Sequence, residues 1–131
     1  MGQANQFEDL EVWQAAKKVV LHVYRLTTHG TLAKDYGFKD QLQRAAVSIM
    51  ANIAEGHERG GSREYIQFLY IAKGSAAETR SLIHVGTDLG YLSDQERAEL
   101  LDQLTGIARQ LGGFIRYLEK GTLQQPPRGP S

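Results

Sequence analysis

A chain of 131 residues that sets 15 Lys and Arg against 15 Asp and Glu carries no net charge, so no global field draws a polyanion towards it and any such contact must be a local patch. Its length indicates one domain, able to bury about two thirds of its unfolded surface around a single core. Cysteine is absent, which excludes disulfides, thiolate nucleophiles and cysteine-ligated zinc.

The opening MGQANQFEDLEVW has no basic stretch followed by an apolar run, and no segment reaches about eighteen uncharged apolar residues; a cytoplasmic protein without a membrane partner is expected. The first predicted helix runs from about Glu8 to Thr28. Leu10, Trp13, Val20, Val23 and Tyr24 recur at helical spacing beside a second stripe of Val12, Ala16, Val19 and Leu26. A bundle helix needs one apolar stripe about 100° wide, so the surplus predicts an interface with another copy of the chain. Gly30 suits the position past the helix end, and Thr31 to Gly37 reads as a loop.

In the second helix Leu42, Ala46, Ile49 and Ile53 share one face until Gly56 weakens the helix. Arg59-Gly-Gly-Ser62 is a turn in which Ser62 is predicted to cap a third helix starting at Arg63, whose buried stripe is Phe68, Leu69, Ala72, Ala76, Thr79, Leu82 and Ile83. Gly90 suits a left-handed helix end, and Ser93-Asp-Gln-Glu96 is a capping box opening the fourth helix. Its seam runs from Leu100 and Leu104 through Ile107, Leu111 and Ile115 to Leu118, ending before Gly121. Short connections between long helices predict an all-α, antiparallel up-down-up-down four-helix bundle over residues 1–121. Residues 122–131 are polar, hold all three prolines and read as a disordered tail.

Several polar constellations invite a chemical reading. Gln41, Arg44, Ser48, Asn52 and Glu55 form a polar stripe beside the apolar face of the second helix, which is either a solvated face or a polar seam between helices, and no nucleophile and base emerge from it. The four histidines, His22, His29, His57 and His84, are never three or four residues apart, and no Glu-x-x-His pair occurs, so no metal or other cofactor is expected. Arg80 and His84 share a helix face and resemble, one residue short, an arginine-histidine spacing of helical ribonucleases; they carry the enzymatic alternative, a metal-independent ribonuclease. Arg44, Arg59, Arg63, Lys73 and Arg80 would contact phosphates if they converged, but Asp40, Glu55, Glu58, Glu64 and Glu78 interleave with them in equal number.

The stretches Ser48-Ile-Met-Ala-Asn-Ile-Ala-Glu-Gly56 and Ala72-Lys-Gly-Ser-Ala-Ala-Glu78, within a pattern from Phe7 to Leu92, resemble the four-helix-bundle proteins encoded in intervening sequences of 23S ribosomal RNA genes. The segment HGTLAKDYGF replaces the Phe-Pro pair and acidic residue usual there, so the first connection is expected to differ in shape. The resemblance implies a homopentamer. A related branch, the accessory variability determinant of diversity-generating retroelements, contacts nucleic acid and a reverse transcriptase, which implies RNA, DNA or a nucleic-acid enzyme as a partner. The expected function is therefore a non-enzymatic oligomeric binding or scaffold protein, with Arg44, Ser48, Asn52, Glu55, Arg59, Arg63, Lys73 and Glu78 as candidate binding or structural polar residues.

Two packing expectations follow from antiparallel register. If facing positions of the second and third helices sum to about 122, Arg44 meets Glu78 in an ion pair. The third and fourth helices would place Gly106 beside Ala76 and Ala77, and Gly113 beside Tyr70, which would explain glycines in a helix interior.

Overall fold

Helix α1 spans Glu11–Leu26 and begins later than its periodicity suggests, because Phe7–Asp9 winds into a separate 3₁₀ turn and Leu10 adopts extended backbone. That turn brings the Phe7 ring edge-on to Trp13, with centroids 5.2 Å apart. The computed structural model describes residues 6–124.

The first connection is more ordered than a loop reading allows. Leu32–Lys34 forms a second 3₁₀ turn whose Leu32 is buried in the core, and α2 starts early, spanning Tyr36–Glu58. Asp35 sets that start: its Oδ1 accepts the Phe38 N–H at 3.2 Å, satisfying one of the free donors of the first turn. The end of α1 is fastened to α2 by Thr27, whose buried hydroxyl donates to the Tyr24 carbonyl at 3.1 Å and accepts from Gln43 Nε2 at 2.8 Å.

Helix α3 spans Ser62–Asp88, so the turn before it is shorter than predicted. Ser62 is its first residue and not its cap; extended Gly61 holds the cap position, and Gly60 makes the reversal at φ +80°. At the other end the Gly90 prediction holds in detail. Gly90 has φ +80°, its N–H donates to the Thr87 carbonyl at 3.0 Å, and the Tyr91 N–H donates to the Gly86 carbonyl at 2.8 Å. Helix α4 then spans Asp94–Gln124, opened by the predicted capping box: the Glu96 N–H donates to Ser93 Oγ at 3.0 Å and the Ser93 N–H to Glu96 Oε1 at 2.8 Å. It runs through Gly121, which does not turn left-handed, and on to Gln124, three residues into the predicted tail of 122–131; residues 125–131 lie outside the described residues.

The four helices pack as an all-α antiparallel bundle, with no strand among the described residues. Leu42, Ala46, Ile49 and Ile53 of α2 are all fully buried, as are Leu69, Ala72, Ala76, Thr79 and Ile83 of α3. The α4 seam buries Leu100, Leu104, Ile107, Leu111 and Ile115. Each leucine or isoleucine so removed from water stabilises the fold by about 1.5–3 kcal/mol before entropy is counted. Phe68 departs from its predicted place: it is only half buried, turned towards α2 beside Gly56.

Helix α1 also corrects an expectation. Val12, Val19 and Val23 are buried, and Leu10, Trp13 and Leu26 lie partly buried against the same core, so both predicted stripes mostly serve one broad inward arc. What remains outward is Tyr24 at 42% exposure and Leu21 at 46%, a much smaller surplus than the periodicity implied. Among the described residues no helix is long and apolar enough to cross a membrane.

Candidate functional site

The α2 polar stripe is a seam in its centre and a solvated face at its ends. Small residues on both helices, among them Ala45, Ser48, Ala72 and Ser75, allow close approach, and Ser48 Oγ and Ser75 Oγ share a hydrogen bond at 2.7 Å. Asn52 Nδ2 donates to the Ser48 carbonyl at 2.8 Å and to Ser48 Oγ at 3.0 Å. On α3 the buried Thr79 hydroxyl donates to the Ser75 carbonyl at 2.8 Å. These bonds satisfy hydroxyls that would otherwise be stranded between packed helices. Ser75 was not among the residues singled out from the sequence, although the register sum pointed to it opposite Ser48.

Below this thread α2 and α3 close over Gly56. A Cβ there would stand 2.8 Å from Phe68 Cβ and 2.9 Å from Tyr65 Cδ1, so only glycine fits. Next to it His57 Nδ1 and the Tyr65 hydroxyl are 3.2 Å apart, and the Tyr65 ring stacks edge-on with Phe114 at 5.1 Å. Burial pushes the Tyr65 phenol up to about 12.

The cations of the candidate set do not converge. Arg44 pairs with Asp40 on its own helix at 3.0 Å, both well exposed, and no pair with Glu78 forms. Arg59 lies 3.3 Å from Glu55 and 3.9 Å from Glu64, with its guanidinium 5.2 Å above the Phe68 ring. Arg63, Lys73 and Glu78 are exposed and make no ion pair among the described residues. Arg80 and His84 are also exposed, with no hydrogen bond between them among the described residues.

The predicted reason for the α4 glycines does not hold. Nothing lies within 4 Å of a Cβ at Gly106, and Gly113 would meet only the end of Arg116 at 3.9 Å. Tyr70 instead reaches Glu119 Oε2 at 3.4 Å.

Two features escaped the sequence. One is Asp35, whose Oδ2 accepts the Tyr91 hydroxyl at 2.7 Å while Oδ1 caps α2; Tyr91 stacks edge-on with Phe38 at 5.6 Å. The Tyr91 bond, and then the Phe38 N–H, hold the Asp35 carboxyl below the usual aspartate value. The other is an open groove of about 510 Å³ between α1 and α4, lined by His22, Arg25, Glu99, Asp102 and Gln103. There His22 Nδ1 meets Gln103 Oε1 at 3.0 Å. Among the described residues no three His, Asp or Glu side chains are grouped to hold a metal ion.

Residues 8–113 of the chain match the family model described as 23S rRNA-intervening sequence protein. A crystal structure of a protein of unknown function from the S23 ribosomal protein family, from Bacteroides thetaiotaomicron, has a similar fold. The TM-score is 0.75 at 21% sequence identity, covering 80% of this chain and 95% of that one. No curated protein matches the chain.

Proposed function

Because this chain belongs to the 23S rRNA-intervening sequence protein family, we propose that it acts as a non-enzymatic, self-associating bundle of the cytoplasm that binds or scaffolds nucleic acid or a nucleic-acid enzyme. The observation that carries this reading is the contrast between a bundle whose seam hydroxyls bond to one another or to the backbone and a surface that keeps large apolar side chains in water. Tyr36 is 73% exposed, Tyr117 64% and Leu89 54%, with Tyr70 and Ile71 half exposed on α3. Exposed aromatic and aliphatic groups on every helix suit contact with other macromolecules better than catalysis.

Five copies is the number the family resemblance implies. The same resemblance, extended to the accessory variability determinant of diversity-generating retroelements, is the ground for naming nucleic acid or a reverse transcriptase as partner. Recovery of the tagged full chain from its host cells, with and without nuclease treatment, tests the partner class. Nucleic acid retained before treatment and lost after it is expected; a chain that brings down none, and whose companions do not change with nuclease, contradicts the reading.

A further inference from the structure

The charges of this neutral chain are not evenly spread. Residues 12–34 contain Lys17, Lys18, Arg25 and Lys34 and no Asp or Glu, whereas residues 94–102 contain Asp94, Glu96, Glu99 and Asp102 against Arg97 alone. Helical spacing puts Lys17, Lys18 and Arg25 on the side of α1 directly opposite its buried valines, and all three are exposed. None of the four basic residues makes an ion pair among the described residues, in contrast to Arg44, Arg59 and Arg97; Arg63, Lys73 and Arg80 of α3 are likewise without one, and Lys17 Nζ lies 5.6 Å from the centre of the Trp13 ring. Leu21 and Tyr24 stand between these cations, 46% and 42% exposed. Past the end of α1, Lys34 continues the basic run, and Lys39 sits 5.1 Å from the centre of the Tyr36 ring, which is 73% exposed.

We propose that the outer face of α1, continued by Lys34 and Tyr36, is a binding surface for single-stranded nucleic acid. The inference deepens the proposed function, on which it rests, and moves the phosphate contacts from α2 and α3, where Asp and Glu are interleaved with the cations along the helix, to the run of α1 that holds no carboxylate. Unpaired cations are available to phosphates without first breaking an internal pair, and exposed rings interleaved with them offer planes on which bases stack whatever their sequence. Lys17 and Tyr24, seven residues apart and both exposed, are spaced by about 10 Å along the helix, so an extended strand contacts both.

Other occupants fit less well. A membrane surface would want the apolar side of an amphipathic α1, and that side is the bundle core. A second copy presenting its acidic α4 stretch would meet the first copy's own Glu99 and Asp102, which line the groove beside Arg25, and it would leave the exposed rings without a role. A strand over Lys17 and Tyr24 runs instead on the side of α1 turned away from that groove.

The test is fluorescence anisotropy of a labelled 20-nucleotide oligouridylate with the full chain at about 50 mM salt. Three proteins are compared: the wild type, the triple variant Lys17→Glu, Lys18→Glu, Arg25→Glu, and an equal charge reversal on exposed α3 cations, Arg63→Glu, Lys73→Glu, Arg80→Glu. The α1 variant is expected to weaken binding by about 10-fold or more and to reduce the slope of log affinity against log salt by about 2, with the α3 variant within about 3-fold of wild type. Equal loss in both variants would reduce the effect to net charge and overturn the assignment. Wild-type binding that the α1 variant leaves unchanged would overturn it too, while leaving the proposed function standing. No wild-type binding to the oligonucleotide overturns it as well; the nuclease experiment on the host complex then decides separately whether nucleic acid is a partner at all. If the α1 variant alters the oligomer mass but not oligonucleotide binding, the face is a subunit interface and the proposal fails. Should the triple reversal unfold the bundle by circular dichroism, the glutamine series at the same three positions is read by the same salt slope.

Discussion

Gly56 and Gly106 are both helical glycines, yet they answer to different physics. At Gly56 an added methyl would press on Phe68 Cβ at 2.8 Å, a contact with a side-chain root that cannot swing away. Gly56→Ala is therefore expected to destabilise the protein by about 1–3 kcal/mol, the usual range for overpacking. Gly106 has open space around it, so Gly106→Ala should gain helix propensity and stabilise by up to about 1 kcal/mol. Denaturant melts of the two variants check both signs, and the same sign for both would contradict the packing account. The sequence marked both residues as unfavourable in a helix but could not tell them apart, because the difference lies in what the neighbouring helix presents. Gly113, for which a close partner was expected, belongs with Gly106.

Asp35 makes the stability of the fold depend on pH. Its carboxylate is stabilised by the Tyr91 hydroxyl and the Phe38 N–H, so its folded-state value lies below the ordinary 3.8. A lowered value means that this contribution is fully present above pH 3.8 and is lost as the pH falls through the folded-state value. Thermal stability of the wild type should therefore drop more steeply below that pH than stability of Asp35→Asn. Parallel acid profiles would show that the carboxylate does not tie α2 to the turn before α4.

Among elements, the ends that are built from local chemistry were legible and the others were not. The Ser93 and Glu96 box and the Gly90 left-handed end are each complete within six residues, and both form as their sequences state. The start of α2 was missed because its cap, Asp35, is not followed three residues later by Glu or Gln but by Phe38, whose role is to pack against Gly86 and Tyr91. The facing sum for α2 and α3 located the correct level, since Ser48 meets Ser75 and His57 meets Tyr65. It failed for Arg44 because a sum fixes height along the helices and not rotation about them; Arg44 points outward to Asp40. The seam itself makes a prediction for a double-mutant cycle. Ser48→Ala and Ser75→Ala should each cost about 1 kcal/mol, since each leaves the other hydroxyl short of a partner, and the double variant should cost less than the sum. Strict additivity in urea melts would mean that the 2.7 Å contact carries no coupling.

At the scale of the molecule, the apolar surplus of α1 seen in the sequence was largely a broad core-facing arc, because periodicity counts apolar positions without counting the neighbours they meet. The large apolar side chains left in water lie on the other helices, with Tyr36, Ile71, Val85, Leu89 and Tyr117 all at least 45% exposed. Exposed apolar groups scattered singly are common on monomers, so only those that adjoin, such as Tyr70 and Ile71 on α3, mark a surface for the proposed assembly. The basic outer face of α1 and the acidic start of α4 add a polarity that the neutral total conceals. The direct test of self-association is the mass of the purified chain by light scattering at about micromolar concentration. The account predicts a particle several times the 14.6 kDa chain, five times if the family resemblance extends to subunit number. A dimer or tetramer would contradict the fivefold number alone, and a 14.6 kDa monomer would contradict the central claim.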